Sequence, residues 1–187
     1  MTATFEAFQT RAAAVSAEVH RFATRHEGLA FIECFLREVG VSEAPGSGAL
    51  WVDGSFLEGI GSAHVTSQVP GVSFEVTREA AAVAKVGISQ LDWAIAGTGT
   101  LVQDATAVEK RLVSTLPPIH LAVLGTERIL ADFNSVLQRL QPEQINYIAF
   151  ITGPSRTADI ERVLTIGVHG PERLIVVVVD DFEKVTA

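Results

Sequence analysis

Apolar side chains recur at helical spacing through residues 5–22, at Phe5, Phe8, Ala12, Val15, Val19 and Phe22, with charges between them. That pattern predicts one long amphipathic helix, suited to a surface or docking role. The sequence TRHE beginning at Thr24 has capping-box spacing, in which Thr24 accepts from the Glu27 N–H while the Glu27 carboxylate reaches back. A second helix is expected from there to about Val39, ended by Gly40. VSEAPGSG then reads as a loop, and ALWVDGSFLEGIG as one or two short strands punctuated by glycine. Thr77 is an N-cap candidate for the alanine-rich REAAAVAKVG. SQLDWAIAGTGTLVQD reads as two strands joined tightly through a glycine-rich turn.

The remaining third alternates: strand HLAVLG, helix TERILADFNSVLQRLQ, strand YIAFIT, a short helix from about Thr157, and strand LIVVVV. Strands alternating with helices require crossover connections, so the expected class is α/β, with a largely parallel sheet flanked by helices. The 187 residues suit one domain, spanning 1–187, with residues 1–40 as an N-terminal helical segment.

Composition narrows the function classes. Hydrophobic residues make up 48% and charged residues 19% of the chain, a globular balance. The net charge of −8, with 14 scattered basic residues, opposes nucleic-acid binding, which needs clustered cations. No apolar run approaches the roughly 20 residues of a transmembrane helix, and MTATFEAFQTR lacks the form of a secretion signal, so the expected address is cytoplasmic. Cys34 is the single cysteine; it excludes an internal disulfide and cannot hold an iron–sulfur cluster, so electrons handled nearby must be carried by another molecule.

The densest chemistry lies in TGPSRTADIERVLTIGVHGP, residues 152–171. Gly153 permits a tight turn after YIAFI, Pro154 fixes the backbone, and Ser155, Arg156 and Thr157 offer two hydroxyls and a planar cation at a helix start. At the carboxyl end of a parallel strand such a group suits a carboxylate or phosphate. The structural alternative makes Ser155 or Thr157 a cap and Arg156 a surface charge, solvated or paired with Asp159 or Glu161. His169, between small residues in GVHGP, is a candidate general acid or base, or else a turn histidine satisfied by a backbone carbonyl. His120, opening a strand after LPP, is a weaker candidate.

In AGTGT, Gly97, Thr98, Gly99 and Thr100 could line a pocket or form a structural turn. The third glycine of GxGxxG would fall at Val102, so this is not a dinucleotide fingerprint. No Walker loop, GxSxG elbow or metal-ligand spacing occurs in the sequence, and no metal is expected.

Together GISQLDWAIAGTGTLV, LPPIHLAVLG and TGPSRTADIERVLTIGVHGP resemble the LUD-domain family, of the lactate utilization protein C type, over residues 86–180. The resemblance implies a fold related to ribose-5-phosphate isomerase, glucosamine-6-phosphate deaminase and CoA transferases. It also implies participation in oxidation of L-lactate to pyruvate beside two partner proteins, at least one of them carrying iron–sulfur clusters, with no cofactor bound by this chain. One departure stands out: relatives commonly have a glutamate between A and TGT, where this chain has Gly97.

Three functions follow. The first is a subunit of a lactate-oxidising complex, binding a small carboxylate through Arg156 with His169 moving a proton, or contacting the cluster-bearing partner. The second is an independent enzyme on a phosphosugar, folate or acyl-CoA ligand. The third is a non-catalytic adaptor or regulator docking through residues 5–22.

Overall fold

A computed structural model describes residues 2–141, 143–156 and 169–182. In chain order its elements are α1 (Thr2–Ala14), β1 (Ala17–Phe22), α2 (Arg25–Glu38), β2 (Ala49–Trp51), α3 (Ser62–Gln68), β3 (Val72–Ser73), α4 (Arg78–Val83), β4 (Val86–Gln90), β5 (Trp93–Ile95), β6 (Thr100–Asp104), α5 (Val108–Thr115), β7 (Ile119–Gly125), β8 (Ile129–Leu130), α6 (Phe133–Leu137), β9 (Ile148–Ile151) and β10 (Arg173–Val179). Two sheets result: a parallel one of six strands, ordered β1-β10-β7-β4-β2-β3, and a four-stranded one, ordered β8-β5-β6-β9.

The LIVVVV run explains the layering. A central parallel strand is apolar on both faces and must be covered on both. Ile175, Val177 and Val179 pack with Leu29, Ile32, Phe35 and Leu36 of α2. Leu174, Val176 and Val178 pack oppositely, with Phe5, Phe8 and Ala12 of α1 and with Ala94 and Leu101 of the second sheet. The α/β class with a largely parallel sheet therefore holds.

Local signals succeeded where the chain caps itself. Thr24 and Glu27 form the expected capping box, and Gly40 follows α2 with φ +77°. Thr77 caps α4 by accepting from the Ala80 N–H at 3.1 Å.

Four expectations are corrected, each by a partner distant in sequence. Residues 5–22 are not one helix: α1 stops at Ala14, Ser16 turns the chain at φ 69°, and β1 pairs in parallel with β10. The N-terminal helical segment thus contains a strand. Val19 and Phe22 fit the helical period, but strand alternation directs them to opposite faces of the sheet, where Val19 meets the α1 side and Phe22 the α2 side. The helix expected over TERILADFNSVLQRLQ is divided, because Ile129 and Leu130 pair with Ala94 and Ile95 of β5. A new, short helix then starts where Asp132 accepts from the Ser135 N–H at 2.8 Å.

The strand within YIAFIT leaves the parallel sheet and runs antiparallel to β6. ALWVDGSFLEGIG contains one strand, followed by a 3-10 turn at Ser55–Leu57. The short helix expected from about Thr157 lies outside the described residues.

Gly87 on β4 shows how closely the covering helices approach: a Cβ there would lie 2.0 Å from the Val113 carbonyl oxygen of α5. Gly87→Ala is expected to lower stability by about 2–3 kcal/mol, read from the urea midpoint. A loss below about 0.5 kcal/mol would contradict this tight seating of α5.

Candidate functional site

The sheet order itself selects a crevice. After β2 the chain goes outward to β3, and after β4 it returns toward β7, yet β2 and β4 are neighbours, with Trp51 beside Ile88. Connections leaving adjacent parallel strands in opposite directions part above their carboxyl ends, where open α/β sheets receive ligands. Asp53, Gly54 and Ser55 follow β2 there; Gln90 ends β4, Asp92 follows it, and Lys110 reaches in from α5. These residues with Val52 enclose a hollow of about 110 Å³. It shares Asp53, Gly54 and Ser55 with an open cleft of about 490 Å³ that extends past Leu57, Glu58, Gly61 and Ser62.

Gln90 organises the rim. Its Oε1 accepts from the Phe56 N–H at 3.2 Å, and its Nε2 donates to Ser55 Oγ at 3.1 Å. Gly54 leaves room for this contact, since a Cβ there would come within 2.6 Å of Gln90 Oε1 and shift that side chain. From the other side Arg25 donates to the Glu58 carbonyl at 3.1 Å, tying the loop to the start of α2. Asp53 caps its own turn, its Oδ1 accepting from the Gly54 N–H at 2.9 Å.

Asp92 is half-buried, and its Oδ2 accepts from the Asp104 N–H at 2.6 Å. Desolvation raises its carboxyl above the ordinary aspartate value, against the opposing pull of Lys110. The rim therefore combines a cation, a hydroxyl and a carboxyl of increased proton affinity.

Beneath it lies a buried polar cluster. His120 on β7 is fully buried, its Nε2 2.9 Å from Ser89 Oγ on β4. Gln103 on β6 donates to Ser89 Oγ at 2.8 Å and to the Gln90 carbonyl at 3.3 Å. Burial pushes the imidazole down to about 4, so His120 is neutral near pH 7.

The motif-bearing candidates gather elsewhere. Gly99 at φ +68° and Gly153 at φ +71° both admit the end of α1: a Cβ on Gly99 would lie 2.3 Å from the Ala12 nitrogen, and one on Gly153 2.2 Å from the Val15 oxygen. Thr98, Thr100 and Thr152 join their hydroxyls in a chain with 2.8 Å links. Gly97 is exposed; its N–H donates to the Ala131 carbonyl at 3.0 Å, and its φ lies outside the region that favours glycine.

Gly153 and Pro154 are buried, whereas Arg156 and His169 are exposed. The Ser155 N–H donates to the Pro171 carbonyl at 2.8 Å, so the two ends of the stretch meet, and Arg156 donates to Ser16 Oγ at 2.8 Å. Thr157 lies outside the described residues. Because Val15, Pro118 and Pro171 precede β1, β7 and β10, this cluster occupies the amino-terminal edge of the parallel sheet. The expected exit from a parallel strand is thereby corrected: β9 belongs to the other sheet, and the crevice is at the opposite end of the parallel strands.

Sequence reasoning missed Asp53, Ser55, Gln90, Asp92 and Lys110. The D-G-S turn after ALWV signalled only Asp53 and Ser55, and its significance depends on which strand lies beside β2.

The family model described as the LUD domain matches residues 5–179. Lactate utilization protein C of Exiguobacterium sp. is 37% identical over 113 residues, covering 57% of this chain and 49% of the relative. The protein of the same name from Macrococcus caseolyticus is 39% identical over 104 residues, covering 52% and 45%. The matched part is thus about half the length of these curated relatives. A crystal structure of a DUF162 family protein from Deinococcus radiodurans shares the fold, with a TM-score of 0.66, 19% identity, and coverage of 95% of this chain and 97% of that one. Among the described residues no helix is long and apolar enough to cross a membrane.

The Asp92 shift has a defined pH signature. A carboxyl raised in the folded state contributes stability below its unfolded value of 3.8, lost as pH rises through the folded value. Asp92→Asn, which keeps an acceptor for the Asp104 N–H, should be at least as stable as the parent at pH 7, with its advantage vanishing toward pH 3.8. Urea titrations across that range test it; a variant less stable at pH 7 than at pH 3.8, relative to the parent, contradicts it.

Proposed function

The chain belongs to the LUD domain family, and on that premise we propose that it serves lactate utilization by holding a small 2-hydroxy or 2-oxo carboxylate for a partner that carries the electrons. The observation supporting this most directly is the hollow between the ends of β2 and β4. At about 110 Å³ it is well below the roughly 300 Å³ from which pockets for drug-sized ligands begin. Lys110 and Ser55 suit a carboxylate, and Asp92 suits the neighbouring hydroxyl.

Conversion of L-lactate to pyruvate removes two protons and two electrons. Asp92 in its ionised form is the acceptor for the hydroxyl proton, favoured by the desolvation that raises its proton affinity. The second proton leaves as the C–H bond breaks. A cluster-bearing partner would supply the acceptor for the two electrons, while Lys110 and Asp92 of this chain hold the acid in place. This chain's single cysteine cannot supply a cluster's usual four thiolates, and its described residues contain no group of three or more His, Cys, Asp or Glu placed to hold a metal.

A second reading assigns the carboxylate to Arg156 and the proton to His169. The Ser155–Pro171 hydrogen bond favours it, because it draws the segments carrying the two side chains together at an exposed surface.

Calorimetric titration with L-lactate and pyruvate separates these readings. Lys110→Ala is expected to weaken binding about tenfold or more, and Arg156→Ala less than about twofold. The reverse pattern moves the ligand to Arg156. A parent protein that binds neither acid overturns both readings.

A further inference from the structure

We infer that Gln103, Ser89 and His120 are positioning residues for the crevice, a hydrogen-bonded anchor fixing Gln90 and, through its side chain, the Ser55–Phe56 rim. The inference builds on the crevice as the ligand site, while the anchoring itself can be measured without ligand. Three strands from two sheets supply the anchor: Ser89 from β4, Gln103 from β6 and His120 from β7.

Proton counting gives the anchor a direction. Gln103 Nε2 donates both to Ser89 Oγ and to the Gln90 carbonyl, so turning its amide over would set Oε1 against that carbonyl oxygen. Ser89 Oγ, accepting from Gln103, still has its own proton to donate. On this inference that proton goes to His120 Nε2, 2.9 Å away, which assigns the imidazole the Nδ1–H tautomer.

This arrangement is costly unless it serves a purpose. His120 Nδ1 and Gln103 Oε1 are buried without a hydrogen-bond partner among the described residues, and an apolar substitution in the core would avoid that cost. The benefit falls at the crevice. The Gln90 backbone is held at 3.3 Å by Gln103, and its side chain holds the Phe56 N–H and the Ser55 hydroxyl. A rim built on a loop thereby receives its position from the junction between the sheets.

Hydrogen exchange on the whole chain tests the anchor. Gln103→Met and Ser89→Ala are expected to speed exchange of the Phe56 amide about tenfold while amides of β7 and β10 keep their rates. His120→Leu should act likewise, and His120→Gln, which restores a polar atom near the Nε2 position, should recover most of the protection. Nitrogen shifts of the His120 ring should report the Nδ1–H tautomer at neutral pH.

Unchanged Phe56 exchange in folded Gln103→Met, a uniform rise across all elements, or an Nε2–H ring overturns the inference. Pyruvate titration of the same variants adds the ligand: affinity should fall in step with Phe56 protection. If the parent does not bind pyruvate, the ligand reading fails and the exchange rates alone decide the anchor. If pyruvate binds the parent and Gln103→Met equally, the anchor does not position the site.

Discussion

The apolar side chains from Leu174 to Val179 point alternately to the two faces of the parallel sheet, and every one is buried. Beside them β7 is buried along its whole length. Each such side chain left in water would cost about 1.5–3 kcal/mol, so both faces must be closed. One is closed by α2 with the segment between β2 and β3; the other needs α1, the second sheet and, over β4, α5. The departure of β5, β6, β8 and β9 from the parallel sheet is part of that closure.

Closing the second face forces backbone against backbone. Gly87 meets the Val113 carbonyl, Gly99 meets Ala12, and Gly153 meets Val15, each too close for a side chain. All three glycines lie in the segments that carry the family resemblance, and two of them, Gly99 in AGTGT and Gly153 in TGPSR, meet the end of α1. Their small size has a structural cause in the docking of α1, and Arg156 reinforces the same junction through Ser16. On the opposite edge the parting of β2 and β4 leaves the polar crevice, with the His120–Ser89–Gln103 cluster directly behind Gln90.

Features governed by neighbours in sequence were legible. The Thr24–Glu27 box, the Thr77 cap, the tight turn between β5 and β6 and the buried β10 each express a local preference. Features governed by distant partners were not. Ala17 to Phe22 forms a strand because β10 offers a parallel edge, and Ile129 and Leu130 leave a helical pattern because β5 does the same. The crevice depends on strand order, which no local pattern encodes. Asp53, Gln90 and Asp92 therefore passed as parts of segments read as short strands, while the stretch at 152–156 attracted attention for Gly153 and Arg156, which also serve the α1 junction.

The central claim is that the ligand lies between the carboxyl ends of β2 and β4. A crystal structure of the protein soaked with pyruvate tests it most directly. The prediction is ordered density bounded by Ser55, Gln90, Asp92 and Lys110, with the carboxylate toward Lys110; density beside Arg156 and His169, with only solvent in the crevice, would contradict it.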